Sequence, residues 1–176
     1  MILYFLRHAS AGEHFADPKK DEKRALDKEG IEQCGYIGRA LAALDVQVDA
    51  IVSSPLKRCT QTASLVGNEL GYEGKLQLDA GLRPEAGLAE FRKLLTKYSG
   101  QEAIMVVGHN PNLSHFLGSI ISDSGCEASL ELKKGAIAKV ETRRTSGTLQ
   151  WCVTPKVLRT LYETAVVSSR PNTSRK

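Results

Sequence analysis

The chain has 176 residues, of which 41% are hydrophobic and 25% are charged, and its formal net charge is +4. These values are typical of one soluble globular domain, whose core can be sizeable without metal or disulfide cross-links. The basic residues are scattered rather than gathered on one helix, and no stretch approaches the roughly 20 apolar residues that span a bilayer, so neither nucleic acid nor a membrane is an expected partner.

The cysteines show no metal-binding or redox spacing. No two of Cys34, Cys59, Cys126 and Cys152 form a CxxC pair, and in a chain of this size we expect them to be reduced packing residues. The first apolar run is too short for a signal peptide, and charge follows it rather than preceding it. We therefore predict a cytoplasmic protein.

Strands and helices alternate in the first half of the chain. Ile2–Leu6 is a continuous apolar run, which predicts a strand buried on both faces, and the polar residues 9–24 are predicted to form a loop. Apolar side chains recur every three or four residues in 27–44, which indicates a helix. A second buried strand is expected at 48–54, and a second helix from Pro55 to about Leu70, before Gly71.

The same alternation continues beyond residue 74. The predicted elements are a short strand at 75–79, a turn-rich loop at 81–87, a helix at Leu88–Tyr98, a strand at 103–109, a helix at 110–121, a hairpin of strands 135–142 and 148–154 joined through 143–147, and a short helix at 155–163. In the helix at 110–121, Asn110 is expected as the cap with Pro111 just inside.

This order predicts an α/β protein with a single three-layer α/β/α domain over residues 1–162. The sheet should be mostly parallel with an antiparallel edge, and residues 163–176 should form a polar, flexible tail. In such sheets ligands bind beyond the carboxyl ends of the strands, so residues that directly follow a strand are the candidates for a site.

Three predicted strands end in residues suited to bind an anion. The first strand leads into Arg7 and His8, the second into Ser53 with Arg58 on the following helical turn, and the fourth into His109. Arginine binds phosphate oxygens with paired N–H groups, and a neutral histidine can attack phosphorus. No carboxylate or thiol accompanies the two histidines at a metal-ligand spacing, so we expect neither a metal nor another cofactor.

Three blocks in these positions carry a family resemblance. "LRHA", "SSPLKRCTQTA" and "VVGHNP", in this order and spacing, resemble the histidine phosphatase superfamily of phosphoglycerate-mutase-like enzymes, and most closely its short, SixA-like phosphohistidine phosphatases. The resemblance extends over residues 1–160 and implies a phosphoglycerate-mutase-like fold. Many members have glycine after the nucleophile, where this chain has Ala9.

The resemblance also implies roles for the four residues. His8 would be the nucleophile that forms a covalent phosphohistidine, while Arg7, Arg58 and His109 would bind the phosphoryl oxygens. Ser53 is a further candidate for substrate binding, since it could orient an arginine or simply end the strand. Arg24 is another, because "RALDKEG" resembles a segment common in SixA-like proteins.

The chain departs from larger members of this family at the general acid. Pro84 stands at the position of that carboxylate and Glu85 lies one residue away, so Glu85 is a candidate acid, with Glu13 and Asp17 as other options. The helical lid of the larger members is also missing. An imidazole leaving group can already carry its proton near neutral pH, whereas an alkoxide cannot, so a site without an acid favours cleavage of a P–N bond.

We therefore predict a metal-independent phosphatase for phosphohistidine on proteins, such as histidine-containing phosphotransfer domains, with a role in signal transduction. One alternative is a phosphomonoesterase of the same superfamily that acts on a small phosphate ester. The other alternative is a module that binds phosphoproteins without catalysis, which the presence of all four site residues disfavours. The sequence does not indicate an oligomeric state.

Overall fold

The computed structural model describes residues 1–122, 128–143 and 146–168. The strands of this part are β1 (Ile2–Arg7), β2 (Ala50–Ser53), β3 (Gln77–Leu78), β4 (Ala103–Gly108), β5 (Ile137–Arg143) and β6 (Ser146–Val153). Its helices are α1 (Pro18–Glu22), α2 (Lys28–Ala43), α3 (Lys57–Glu69), α4 (Leu88–Lys97), α5 (Asn112–Ile121) and α6 (Pro155–Ser168), and a 3₁₀ turn covers Ala80–Leu82.

The strands form one mixed sheet in the order β3-β2-β4-β1-β5-β6. The strands β1 to β4 run parallel, and Leu3 of β1 stands opposite Ile104 of β4. The strand β5 pairs antiparallel with β1, and β6 pairs antiparallel with β5. The predicted α/β architecture, with a mostly parallel sheet and an antiparallel edge, is confirmed.

Helices cover both faces of this sheet, which explains the continuous apolar runs in its central strands. On one face Tyr4 and Leu6 pack with residues of α2, α3 and α6, and on the other Leu3 and Phe5 pack with residues of α4 and α5. Successive side chains of a strand point to opposite faces, so a strand between two helical layers is apolar at every position.

One helix lies in a segment that the sequence pattern assigns to a loop. Residues 9–24 contain α1, whose first turn is capped by the Asp17 side chain accepting from the Lys19 N–H at 2.9 Å, with Pro18 as first residue. Aspartate followed by proline is a helix-start signal, but α1 has only five residues and shows no apolar period. The expectation of a continuous loop was therefore wrong.

Two helices begin later than predicted, because their prolines lie before the first helical residue. The helix α3 begins at Lys57, and α5 begins at Asn112 with Pro111 in the cap position. The prediction that Asn110 caps α5 is wrong. Its amide donates instead to the Leu132 carbonyl at 2.9 Å, and its carbonyl oxygen accepts from the Ser114 hydroxyl at 3.0 Å.

The C-terminal helix is longer than predicted. It continues to Ser168, so residues 163–168, which the sequence pattern places in the tail, belong to α6. The rest of the predicted tail, 169–176, lies outside the described residues, as do Cys126 and residues 144 and 145 of the predicted hairpin turn. Among the described residues, no helix combines the length and apolar character needed to cross a membrane.

Candidate active site

The carboxyl ends of β1, β2 and β4 meet at one edge of the sheet. The His8 N–H donates to the Gly108 carbonyl at 3.1 Å, and the Ser54 N–H donates to the Val107 carbonyl at 2.9 Å, so the segments leaving the three strands are tied together. The rings of His8 and His109 lie 5.1 Å apart, centroid to centroid. Both rings border an open pocket of about 510 Å³, which Arg24, Arg58 and Glu85 also line.

His8 is held in one tautomer. Its Nδ1 lies 2.8 Å from the carbonyl oxygen of Ala9, which can only accept a hydrogen bond, so Nδ1 carries the ring proton. The Ala9 N–H in turn donates to the hydroxyl oxygen of Thr62 at 3.1 Å, and that hydroxyl donates to the Arg58 carbonyl at 2.7 Å. The unprotonated Nε2 of His8 is therefore available as a nucleophile, on a strand end anchored to α3.

Both site histidines are neutral at physiological pH. Burial, together with the nearby charges of Arg58, Arg7 and Arg24, lowers the pKa of His8 to about 3, although the hydrogen bond to Ala9 opposes this shift. Burial also lowers the pKa of His109 to about 2, with contributions from His8 and the arginines. An imidazole must be unprotonated at the attacking nitrogen, so this environment keeps His8 reactive without a base to deprotonate it.

Arg58 is braced by a carboxylate that the sequence analysis does not identify. Its Nη1 donates to the Asp21 carboxylate at 3.1 Å and to the Asp21 backbone carbonyl at 3.0 Å. Arg24 Nε donates to the other carboxylate oxygen at 2.7 Å, and Arg24 Nη1 donates to the Ala11 carbonyl at 3.0 Å. Asp21 thus joins two arginines beside His8, and all three side chains are largely buried.

Asp21 remains ionised throughout the physiological range. Burial alone would raise its pKa, but the hydrogen bonds from Arg24 and the Phe15 N–H, with the charges of Arg58 and Arg24, lower the pKa to about 2. A carboxylate in this state cannot donate a proton to a leaving group near neutral pH. The arrangement fits a part in positioning the arginines rather than in acid catalysis.

Arg7 lies on the other side of the nucleophile. It is half-buried, its Nη1 donates to the Leu132 carbonyl at 2.8 Å, and its side chain lines a neighbouring pocket rather than the one that His8 and His109 border. Its charge nevertheless acts on His8. The Nε atoms of Arg7 and Arg58 are buried without a hydrogen-bond partner among the described residues, so both N–H groups are free to bind an anion.

Ser54, rather than Ser53, reaches the site. The Ser54 hydroxyl oxygen lies 2.9 Å from Nε2 of His109, and Cys59 Sγ lies 3.3 Å from the same nitrogen. The Ser53 hydroxyl instead donates to the Ser54 carbonyl at 2.8 Å and is fully buried in the strand end. Burial raises the pKa of the Cys59 thiol to about 12, so Cys59 is a packing group and not a thiolate nucleophile.

Glu85 borders the pocket but is already engaged. Its carboxylate accepts from Arg83 Nε at 2.5 Å, and the guanidinium of Arg83 also contacts Glu22. The hydrogen bond from Arg83 lowers the pKa of Glu85. A general acid must hold a proton at the working pH, so the geometry disfavours this role for Glu85.

Sequence reasoning missed three residues of this region, and only two of them had a signal in the sequence. Ser54 directly precedes proline in a predicted strand end, so either serine of the pair was a fair candidate. Thr62 lies one helical turn after Arg58, where a hydroxyl can bond back to a carbonyl four residues earlier. Asp21 gave no signal, because it sits in a charged segment that resembles a solvated loop.

Comparisons with known proteins identify the family of the chain. The sequence profile of the histidine phosphatase superfamily (branch 1) matches residues 3–94. An uncharacterised protein of Picosynechococcus sp. is 33% identical over 141 residues, which cover 78% of this chain and 82% of that protein.

Two solved structures share the fold. The protein histidine phosphatase SixA complexed with tungstate superposes with a TM-score of 0.80 at 23% identity, over 90% of this chain and 99% of that one. A putative alpha-ribazole-5'-P phosphatase from Escherichia coli superposes with a TM-score of 0.69 at 17% identity, over 88% and 97% of the two chains. The chain belongs to the histidine phosphatase superfamily, and its α/β fold is the phosphoglycerate-mutase-like fold of these relatives.

Proposed function

We propose that the protein hydrolyses phosphohistidine on other proteins, without a metal, through a covalent intermediate on His8. Membership of the histidine phosphatase superfamily supports a phosphatase activity. The observation that carries the proposal is the protonation state of the His8 ring. Its proton is fixed on Nδ1 by the Ala9 carbonyl, so Nε2 presents a lone pair within reach of Arg58 and His109. A phosphoryl group in this pocket would meet a nucleophile and cations together.

The reaction would proceed in two displacements. In the first, Nε2 of His8 attacks phosphorus, the P–N bond of the substrate breaks, and the substrate imidazole leaves with the proton that its other nitrogen already carries. In the second, water attacks the phosphorylated His8, which releases inorganic phosphate and restores Nε2. Arg58 would stabilise the phosphoryl oxygens in both transition states, Arg7 would contribute through its Nε–H, which has no partner among the described residues, and His109 would donate to them from its neutral ring.

The preference for a P–N bond rests on the carboxylates of the pocket. Asp21 is ion-paired with Arg24 and Arg58, and Glu85 is ion-paired with Arg83. An alkoxide leaving group needs a proton that neither group holds near neutral pH, and the loss of general acid catalysis costs roughly 10²–10⁴-fold in rate. The connection from β3 to β4 contains only the 3₁₀ turn and α4, which leaves the pocket open to a protein surface.

A small phosphate ester is the second candidate substrate. A pocket of about 510 Å³ can hold a ligand of nucleoside size, and the putative alpha-ribazole-5'-P phosphatase has the same fold. A cytoplasmic location and a role in signal transduction remain predictions that follow from the cysteine pattern and from the proposed substrate.

Substrate profiling separates the two candidates. Phosphate release is measured with a histidine-phosphorylated phosphotransfer domain and with a panel of sugar phosphates and nucleoside monophosphates, with the His8→Ala variant as the inactive control. We expect kcat/KM to be at least about 100-fold higher for the phosphoprotein, because the esters lack an acid for their leaving group. Faster turnover of any ester than of the phosphoprotein would contradict the proposal.

A further inference from the structure

A second pocket of about 580 Å³ adjoins the nucleophile on the side of Arg7. Its lining includes three lysines, Lys133, Lys134 and Lys156, which we call the basic shelf. The pocket lies at the same edge of the sheet as the active site, because β5 begins and β6 ends where β1 ends. Lys133 and Lys134 lie in the turn shortly before β5, and Lys156 is the second residue of α6, which follows β6.

Backbone hydrogen bonds connect the turn that contains Lys133 and Lys134 to His8. The Gly135 N–H donates to the His8 carbonyl at 3.1 Å, and the Ala136 N–H donates to the Lys133 carbonyl at 2.8 Å, which closes a tight turn. Gly135 has a φ of +69°, and a Cβ there would lie 2.8 Å from Pro155 Cγ. The turn therefore requires glycine and packs directly on the start of α6, so the three lysines are presented as one surface.

The charge of this shelf is largely uncompensated, unlike that of the active-site pocket. In the active-site pocket Arg24 and Arg58 are paired with Asp21, and Arg83 is paired with Glu22 and Glu85. In the shelf, Lys134 and Lys156 form no ion pair with any described residue. Lys133 contacts Glu131 at 2.6 Å in an exposed pair, which contributes little net stabilisation.

We propose that the basic shelf docks an acidic surface of the phosphorylated protein substrate, next to the phosphohistidine; this inference rests on the proposed function. A carboxylate-bearing surface complements exposed lysines, and charge complementarity raises the association rate more than the chemical rate. Nucleic acid is a poorer fit, because the shelf is short, whereas a nucleic-acid site needs a long basic stripe.

The test compares two double charge reversals of equal net charge. Lys134→Glu/Lys156→Glu alters the shelf, and Lys75→Glu/Lys93→Glu alters two exposed lysines outside both pockets. The substrates are a histidine-phosphorylated phosphotransfer domain with acidic residues around its histidine, and free phosphohistidine. We expect the shelf variant to lose about tenfold or more in kcat/KM on the phosphoprotein at low salt, and less than about threefold on free phosphohistidine.

The outcomes separate this inference from the proposed function. An equal loss on both substrates, or an equal loss in the control variant, would overturn docking at the shelf while the phosphatase activity stands. Competition by a single-stranded oligonucleotide that depends on Lys134 and Lys156 would reassign the shelf to nucleic acid. If the unaltered protein hydrolyses neither phosphohistidine substrate, the proposed function fails and the docking inference falls with it. A loss confined to the phosphoprotein and diminished at high salt supports docking.

Discussion

Asp21 allows the arginines of the site to be tested without replacing either of them. Asp21→Asn preserves the shape of the side chain but removes the charge that accepts from Arg24 Nε at 2.7 Å and from Arg58 Nη1 at 3.1 Å. A hydrogen bond to a charged group is worth about 1.5–3 kcal/mol, and an amide can restore one of the two at most. A displaced Arg58 would lose one such bond to a phosphoryl oxygen in the transition state, which corresponds to a decrease of about 10- to 160-fold in kcat/KM.

The assay separates positioning from folding. We expect Asp21→Asn to lower kcat and to weaken inhibition by inorganic phosphate, because a displaced Arg58 binds both the substrate and the product less well. The matched control is Asp17→Asn, which removes a carboxylate charge from the N-cap of the same helix while the amide oxygen can still cap it, and Asp17 contacts neither arginine. Unchanged kcat/KM in folded Asp21→Asn, or an equal loss in Asp17→Asn, would refute the reasoning.

Three further predictions concern single side chains. Ser54→Ala should lower kcat/KM about tenfold through loss of its hydrogen bond to His109, whereas Ser53→Ala should keep wild-type kinetics. A larger loss in Ser53→Ala than in Ser54→Ala would contradict the assignment of Ser54 to the site. Because the pKa of His109 is about 2 in the folded protein, the free energy of unfolding decreases as the pH falls below 6.5. Urea unfolding between pH 6.5 and 5 should show that His109→Gln removes about 2 kcal/mol of this decrease. Glu85→Gln should retain phosphohistidine hydrolysis within about threefold, because Glu85 is ionised; a loss of 100-fold would identify it as the acid.

The sheet and the convergence of the strand ends could be predicted from the sequence. Continuous apolar runs such as Ile2–Leu6 predict strands buried on both faces, and the parallel order brings Arg7, His8 and His109 to one edge. His8, Arg58 and His109 do meet there at one pocket, while Arg7 faces the neighbouring one. The general position of the site follows from topology, but the direction of each side chain does not.

Contacts between segments remote in sequence could not be predicted. Asp21 contacts Arg58 across 37 residues, and α1 around Asp21 is too short to show a helical period. The choice between Ser53 and Ser54 depends on which face of the strand end meets His109, and a register difference of one residue reverses that face. The turn that contains Lys133 and Lys134 contacts His8 through the Gly135 N–H, a pairing that no local pattern encodes.

Covalent catalysis at His8 is tested most directly by trapping the intermediate. The protein is incubated with a labelled phosphodonor such as the histidine-phosphorylated phosphotransfer domain, quenched in base, and digested for mass spectrometry. We predict acid-labile, base-stable phosphate on His8, no label there in His8→Ala, and orthovanadate binding retained in that variant. Rapid phosphate release by the wild-type protein with no phosphate ever found on His8, or undiminished release by His8→Ala, would contradict the account.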